Sequence, residues 1–259
     1  MTMRLTRRSV VLAAPALALS GLPAFANIPS HGRGFGDNDP VDFNHPAPSK
    51  FPVHGLDMAR FQTVNHWPTV RSAGATFVWI KATEGGDLLD PSFKTHWRGA
   101  RQGGVHAGAY HFYYFCTPPE VQAKWFLKNV GKKRGMLPPV LDMEWNPFSP
   151  TCTLRPPAKE VRAQMKTFLQ IVERKLGQRP VIYTTPEFYK DNELYKMSNE
   201  EYWLRTTAKT PAEAYPGQAW RFWQYSGTGV VPGISEETDL NCFNGSADDF
   251  NAWLKRRAV

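Results

Sequence analysis

The chain has 259 residues, enough for one large barrel or two small domains, and 42% apolar content with nine tryptophans supplies a sizeable core. Its net charge of +8 suits an anionic polymer or surface. No dense Lys/Arg block with interleaved aromatics occurs, which argues against nucleic acid as a partner.

The first residues read as an address rather than as fold. Arg7 and Arg8 precede an apolar run that reaches Pro23, and Ala24, Phe25 and Ala26 follow with the small-x-small pattern of a cleavage site. Residues 1–26 resemble a bacterial twin-arginine export signal and point to a periplasmic or secreted protein. The run is shorter than the roughly 20 residues of a spanning helix, so no stable membrane insertion is expected after cleavage. Loss of Arg4, Arg7 and Arg8 takes the net charge from +8 to +5. Residues 27–50 are rich in Pro, Gly, His and Asn without a hydrophobic period and read as a flexible leader. That leaves 51–259 as a single folded domain.

From Phe51 the pattern alternates. A strand at 53–57 precedes a short helix at 67–73, and the β-rich segment 76–81 precedes a helix at 91–102. A strand at 105–113 leads to a helix at 119–130, with Val121, Trp125 and Phe126 on one face. A fourth strand at 139–144 precedes the longest helix, 158–176, with Val161, Met165, Phe168, Leu169 and Val172 at helical spacing. A fifth strand lies at 180–184. Thereafter 202–206, 221–225 and 238–243 read as strands linked by Gly/Pro loops rather than by full helices, before a closing helix at 247–255. Strands alternating with helices predict an α/β fold, an irregular (β/α) barrel like a TIM barrel, with reduced helices between its last strands. No Gly-rich phosphate loop follows the first strand, which speaks against an open doubly wound sheet.

Cysteine spacing indicates no metal site. Cys116 and Cys152 follow successive predicted strand ends, where loops of adjacent barrel strands meet, so they are the candidate disulfide, with Cys242 left buried.

The chemistry is concentrated in Pro138-Pro139-Val140-Leu141-Asp142-Met143-Glu144-Trp145. Side chains at i and i+2 of a strand share a face, so Asp142 and Glu144 converge while Leu141 and Met143 pack behind them. Two adjacent carboxyls raise each other's pKa and resist burial, and they require a counter-ion or a chemical use. Cleavage of a glycosidic bond is one such use. Asp57, Glu84 and Asp239 also fall near strand ends, where barrel enzymes place their catalytic groups. Among nearby aromatics, Tyr110 and Tyr183 are site candidates through their hydroxyls, whereas Trp79 and Trp220 read as core. His54 and His111 read as structural hydrogen-bonding residues.

Six segments in series carry a resemblance: His54-Gly55-Leu56-Asp57 with Gln62, the run Phe77 to Gly85, Gly108 to Phe112, Leu137 to Glu144, Phe222-Trp223-Gln224-Tyr225-Ser226, and Asp239-Leu240-Asn241. Together they resemble the glycoside hydrolase family 25 muramidases (lysozymes). The resemblance implies an irregular β/α barrel that cleaves the β-1,4 bond after N-acetylmuramic acid in peptidoglycan. It places catalysis on Asp57, Asp142, Glu144 and Asp239, with Glu144 as general acid and Asp142 ionised to support attack by the substrate's own acetamido group. It places Tyr110, Tyr183, Trp223, Gln224, Lys81 and Glu84 against the substrate. It implies glycan strands as the partner; no metal and no cofactor are expected, and a monomer is the default. Two departures stand out. Met58-Ala59 replace the family's usual Val-Ser, and Arg205 falls in a segment, 202–206, where the family carries Trp-x-Ala-x-Tyr. A divalent-metal hydrolase using the acidic rim and a wall-binding protein without turnover are the alternatives. Replacing Arg7 and Arg8 together by Lys is expected to abolish export, measured as the fraction of cleaved protein outside the cytoplasm.

Overall fold

The computed structural model describes residues 34–44 and 46–259. The export signal read at residues 1–26 lies outside the described residues. The elements run β1 (Gly36–Asp37), β2 (His54–Met58), α1 (Trp67–Ser72), β3 (Ala75–Glu84), β4 (Leu88–Leu89) and α2 (Phe93–Gln102). Next come β5 (His106–Phe112), α3 (Pro119–Val130), β6 (Val140–Met143), α4 (Ala158–Leu176), β7 (Val181–Thr184) and α5 (Pro186–Asp191). The chain ends with β8 (Tyr202–Arg205), α6 (Pro211–Ala214), β9 (Phe222–Val230), β10 (Thr238–Phe243) and α7 (Ala247–Arg257). Among these helices none is long and apolar enough to cross a membrane.

Eight strands close into a barrel. From β2 through β3, β5, β6, β7 and β8 to β9 each neighbour pairs in parallel. β10 runs the other way and pairs antiparallel with both β9 and β2, which closes the ring. The β9–β10 connection, residues 231–237, carries Gly233 and no helix. Antiparallel neighbours need no crossover, so this short link suffices. The expected barrel with reduced late helices is what forms.

Strand alternation divides the apolar side chains into two layers. Leu56, Val78, Ile80, Ala107, Ala109, Leu141, Met143, Ile182 and Leu204 face outward to the helices. Phe77, Trp79, Val140, Val181, Trp203, Phe222 and Phe243 face inward, where Phe250 and Trp253 of α7 join them. Trp79 stacks on Trp203 with ring centroids 4.9 Å apart. Room for these rings comes from inward glycines: a Cβ on Gly108 would lie 2.4 Å from the Trp79 ring, and one on Gly55 would lie 2.4 Å from Phe77. The barrel interior is a packed aromatic plug, and an open cleft remains above it.

Two expectations change. The stretch read as a flexible leader is, from Gly34 onward, laid against the barrel. β1 pairs with the end of β9, and Phe43 sets its ring edge-on to Trp223 at 4.9 Å. The absence of a hydrophobic period hides this because single apolar residues do the docking. In α3 the buried face carries Gln122, Ala123, Phe126 and Val130, while Val121 is exposed. Gln122 sets that rotation: its Nε2 donates to Tyr114 O and Thr117 O, each at 2.7 Å, and its Oε1 accepts from Tyr114 N at 3.0 Å. A buried polar anchor outweighs one exposed valine.

Cys116 in the β5–α3 loop is bonded to Cys152 in the β6–α4 loop, with Cα atoms 5.8 Å apart. Cys242 is buried in the outer layer. The bridge spans 36 residues of sequence. Loop-closure entropy for such a span is worth roughly 3–4 kcal/mol. The double variant Cys116→Ser/Cys152→Ser is therefore expected to melt about 10 °C lower, measured by thermal denaturation without reductant.

Candidate active site

Each barrel strand contributes one inward residue at the same rim. These are Asp57, Lys81, Tyr110, Asp142, Tyr183, Arg205, Gln224 and Asp239, and all of them line a cleft of about 480 Å³. For the parallel strands this is the C-terminal end. β10 reaches the same rim with its beginning, because it runs backwards. Asp239 therefore stands at a strand start, not at a strand end as the sequence reading assumed. The register places it directly opposite Asp57.

Asp57 is the hub. Its Oδ1 accepts hydrogen bonds from Asn241 Nδ2 at 2.7 Å and Gln224 Nε2 at 2.9 Å. Gln224 Oε1 accepts from the Tyr183 hydroxyl at 2.8 Å, and Asn241 Oδ1 accepts from Trp203 Nε1 at 2.7 Å. The Asp57 and Asp239 carboxyls also hydrogen-bond each other. Two acids facing each other across a ladder are stable when they share a proton. Burial raises Asp57 to about 6 against the downward pull of its amide donors. Burial raises Asp239 well above the carboxylate range, and the Asp57 charge adds to that. The pair is thus held toward a state in which the two carboxyls share one proton.

Asp142 and Glu144 share the inward side of β6 and its extension, as the i, i+2 spacing requires, and both line the cleft. Asp142 is 7% exposed, and its Oδ1 is buried with no hydrogen-bond partner. Burial lifts Asp142 well above the usual carboxylate range, and the charge of Glu144 lifts it further. Glu144 is raised by burial too, while Arg205 and Lys81 pull it back. Both carboxyls of the pair are thus held toward their protonated forms; Asp142 lies within the ladder and Glu144 one residue past it.

The Tyr110 hydroxyl stays protonated, because burial and the acids around it raise its pKa far above the ordinary value. The Tyr183 hydroxyl is likewise held protonated by burial and is already committed to Gln224. Lys81 bonds Glu84 at 2.5 Å and lies 4.6 Å from the Phe112 ring centroid. Glu84 does not line the cleft; burial works to raise its pKa, but hydrogen bonds from Lys81 and Tyr114 lower it overall. Trp223 was expected to touch substrate, but it is fully buried on the outward face of β9, with Nε1 donating to Thr206 O at 2.8 Å. Gln224 beside it faces in, so Trp223 must face out. His111 bonds Thr83 and Gln122, and His54 bonds Tyr225 and Phe51, each within the packed structure. Trp203, Asn241 and the two-thirds-exposed Phe61 complete the site and were not assigned roles from sequence, while Arg205, a departure from the family pattern that bears either on a subsite or on an acid partner, lines the cleft without an ion pair among the described residues. Strand parity gives Trp203, Arg205 and Asn241: Arg205 stands at the rim and the other two one layer inward, on the face opposite Tyr202, Leu204 and Cys242. Among the described residues no group of three or more His, Cys, Asp or Glu is arranged to hold a metal ion.

The Asp57 shift has a sign that can be tested. A carboxyl raised from 3.8 to about 6 on folding contributes stability that is full below the unfolded value. That stability is lost as pH rises through the folded value. Asparagine mimics the protonated form and keeps an oxygen for Gln224 and Asn241. Asp57→Asn is expected to melt a few degrees above the wild type at pH 7, with the gain vanishing near pH 3.5, by calorimetry at the two pH values.

A family model described as glycosyl hydrolases family 25 matches residues 56–234. The protein YegX of Escherichia coli K12 is 36% identical over 212 residues, covering 80% of this chain and 75% of that one. Lysozyme M1 of Streptomyces globisporus is 34% identical over 207 residues, covering 75% of this chain and 69% of its own. The crystal structure of a bacterial lysozyme from Streptomyces coelicolor superposes with a TM-score of 0.71 at 32% identity, covering 80% of this chain and 98% of that one. With the acidic cleft at the mouth of the barrel and a match over most of the domain, the chain belongs to glycosyl hydrolases family 25 and is a glycoside hydrolase of the lysozyme type.

Proposed function

We propose that this protein is an exported muramidase that hydrolyses the β-1,4 bond between N-acetylmuramic acid and N-acetylglucosamine in peptidoglycan. The observation that carries the reading is the buried, unpartnered Oδ1 of Asp142 beside Glu144. A buried acceptor without a donor is costly, and an incoming N–H satisfies it. The 2-acetamido group of the sugar supplies such an N–H. Accepting it favours ionised Asp142, and the proton then belongs on Glu144, whose affinity for it rises beside the new charge. Substrate binding thereby arms the acid.

Glu144 next protonates the glycosidic oxygen as the bond to the anomeric carbon breaks. The acetamido oxygen closes on that carbon, and Asp142 balances the positive charge that develops on the ring so formed. This is a substrate-assisted variant of glycoside hydrolysis. Glu144, now ionised, takes a proton from a water that opens the ring and restores the acetamide. Asp57, paired with Asp239, holds the wall through Gln224 and Asn241. The Tyr110 hydroxyl, kept protonated, offers a donor to the sugar. Export through the twin-arginine route belongs to the same reading, carried by Arg7 and Arg8.

The test is reducing-end release from purified peptidoglycan, with the new reducing sugar identified. Glu144→Gln is expected to lose about 10²–10⁴-fold in kcat. Activity is expected below the raised pKa of Glu144 and lost as pH rises through it, because the acid must carry its proton. Equal rates in Glu144→Gln and wild type would refute the assignment. Full activity on glycan de-N-acetylated at muramic acid would refute the role of the acetamide.

A further inference from the structure

Arg205 is the rim residue of β8 and stands in a wall otherwise dominated by acids. Its base is fixed: the Tyr215 hydroxyl donates to Arg205 O at 2.6 Å, and Thr206 N donates to Gln224 O at 3.1 Å. Its guanidinium carries five N–H donors in a planar fork. Among the described residues none of them makes a hydrogen bond to protein, and no carboxylate lies within 4.0 Å. Two other partly buried arginines are held by several acceptors each. Arg179 bonds Glu173 and Glu200, and Arg257 bonds Glu201, Gln178 and a backbone carbonyl. The second cation of the cleft, Lys81, is neutralised by Glu84. Arg205 is half-buried, charged, rigidly mounted and open at its fork. That is the arrangement that recognises a planar anion bidentately.

We propose that Arg205 receives a carboxylate on the lactyl arm of the muramic acid at the cleavage site, so that the enzyme prefers glycan stripped of its stem peptides. The inference rests on the muramidase reading. In that reading Asp142 takes the acetamide at C2 of the sugar, and the lactyl arm leaves the neighbouring carbon, C3. One strand, β7, separates Asp142 from Arg205. Neighbouring strands lie roughly 4.8 Å apart, so a long side chain on β8 covers the breadth of one sugar ring. When a stem peptide is attached, the lactyl carboxyl is a neutral amide. When the peptide is gone it is a carboxylate, which the acids of the cleft repel unless a cation receives it. Arg205 removes that repulsion, and its pull on Glu144 and Asp239 shows that its charge reaches the reacting groups. A reaction that cleaves the lactyl–peptide amide must then precede this one.

The experiment uses three glycans of equal length: peptide-free with lactyl carboxylates, the same with lactyl methylamides, and peptide-bearing. Reducing ends are measured with wild type, Arg205→Gln and Arg205→Lys. Wild type is expected to cleave the carboxylate glycan with kcat/KM about ten-fold above the methylamide, mostly through KM. The ratio is expected to fall to near one in Arg205→Gln and to an intermediate value in Arg205→Lys. If turnover is too low in Arg205→Gln, binding of the two peptide-free glycans to Glu144→Gln with and without the second change gives the same ratio. An unchanged ratio on removing Arg205 overturns the proposal. An Arg205-dependent preference for the peptide-bearing glycan assigns the anion to the peptide and overturns the lactyl assignment. If wild type releases no reducing ends from any of the three, it is the muramidase reading that fails.

Discussion

Asp57 Oδ1 accepts Gln224 Nε2 and Asn241 Nδ2, and those two donors come from the strands that close the barrel against its beginning. β2 is the first barrel strand and β9 and β10 are the last two. One carboxylate oxygen therefore ties the ends of the domain together in the wall of the cleft. The tie has to be polar, because the apolar plug stops one layer lower. Trp203 marks that boundary: it stacks on Trp79 below and donates to Asn241 Oδ1 at the level of the site. Loss of register in β10 by one residue would turn Asp239 and Asn241 outward together and leave Asp57 with Gln224 of β9 as its one amide donor.

The cleft concentrates four raised carboxyls, and this opposes folding. Asp57, Asp142, Glu144 and Asp239 all bind protons more tightly in the fold than in the open chain, chiefly through burial. Arg205 and Lys81 offset part of the cost without quenching it, since only Lys81 closes an ion pair. Full neutralisation would leave no proton to exchange. The arrangement is the usual compromise of an active site, in which stability is forgone for groups poised between two protonation states. The aromatic interior and the Cys116–Cys152 bridge supply the compensating stability elsewhere.

The order of elements and the acid pair were legible because they depend on local rules. Alternation in Val140-Leu141-Asp142-Met143-Glu144 gives the shared face, and the helical spacing of Val161, Met165, Phe168, Leu169 and Val172 gives the buried side of α4. The misreadings come from not carrying the same rule to the end. Trp223 and Gln224 are adjacent in a strand, so one side of the barrel cannot hold both. Arg205 follows Trp203 by two residues and must face the cleft if Trp203 fills the barrel. Other features were not local at all. The direction of β10, the Gln122 anchor that turns α3, and the docking of Phe43 on Trp223 are set by partners distant in sequence.

Glu144 poses the last structural requirement. It lies one residue beyond β6, so no ladder hydrogen bond of its own strand fixes it. Trp145 does so instead. Its indole packs against Phe188 at 4.6 Å and Phe115 at 5.5 Å, and its Nε1 donates to Asp191 Oδ2 at 2.9 Å. The Arg155 guanidinium lies 4.8 Å from the same ring. Phe115 precedes Cys116, and Arg155 follows Cys152 by three residues, so the disulfide joins the two loops that grip the indole. In the proposed mechanism Glu144 is the proton donor, and such a group must hold its place to within about half an ångström. Here a bulky neighbour clamped on several sides provides that, while the carboxyl itself stays free to gain and lose its proton. The tryptophan at the end of the acidic motif therefore serves position rather than substrate, and the bridge behind it serves the acid as much as the fold.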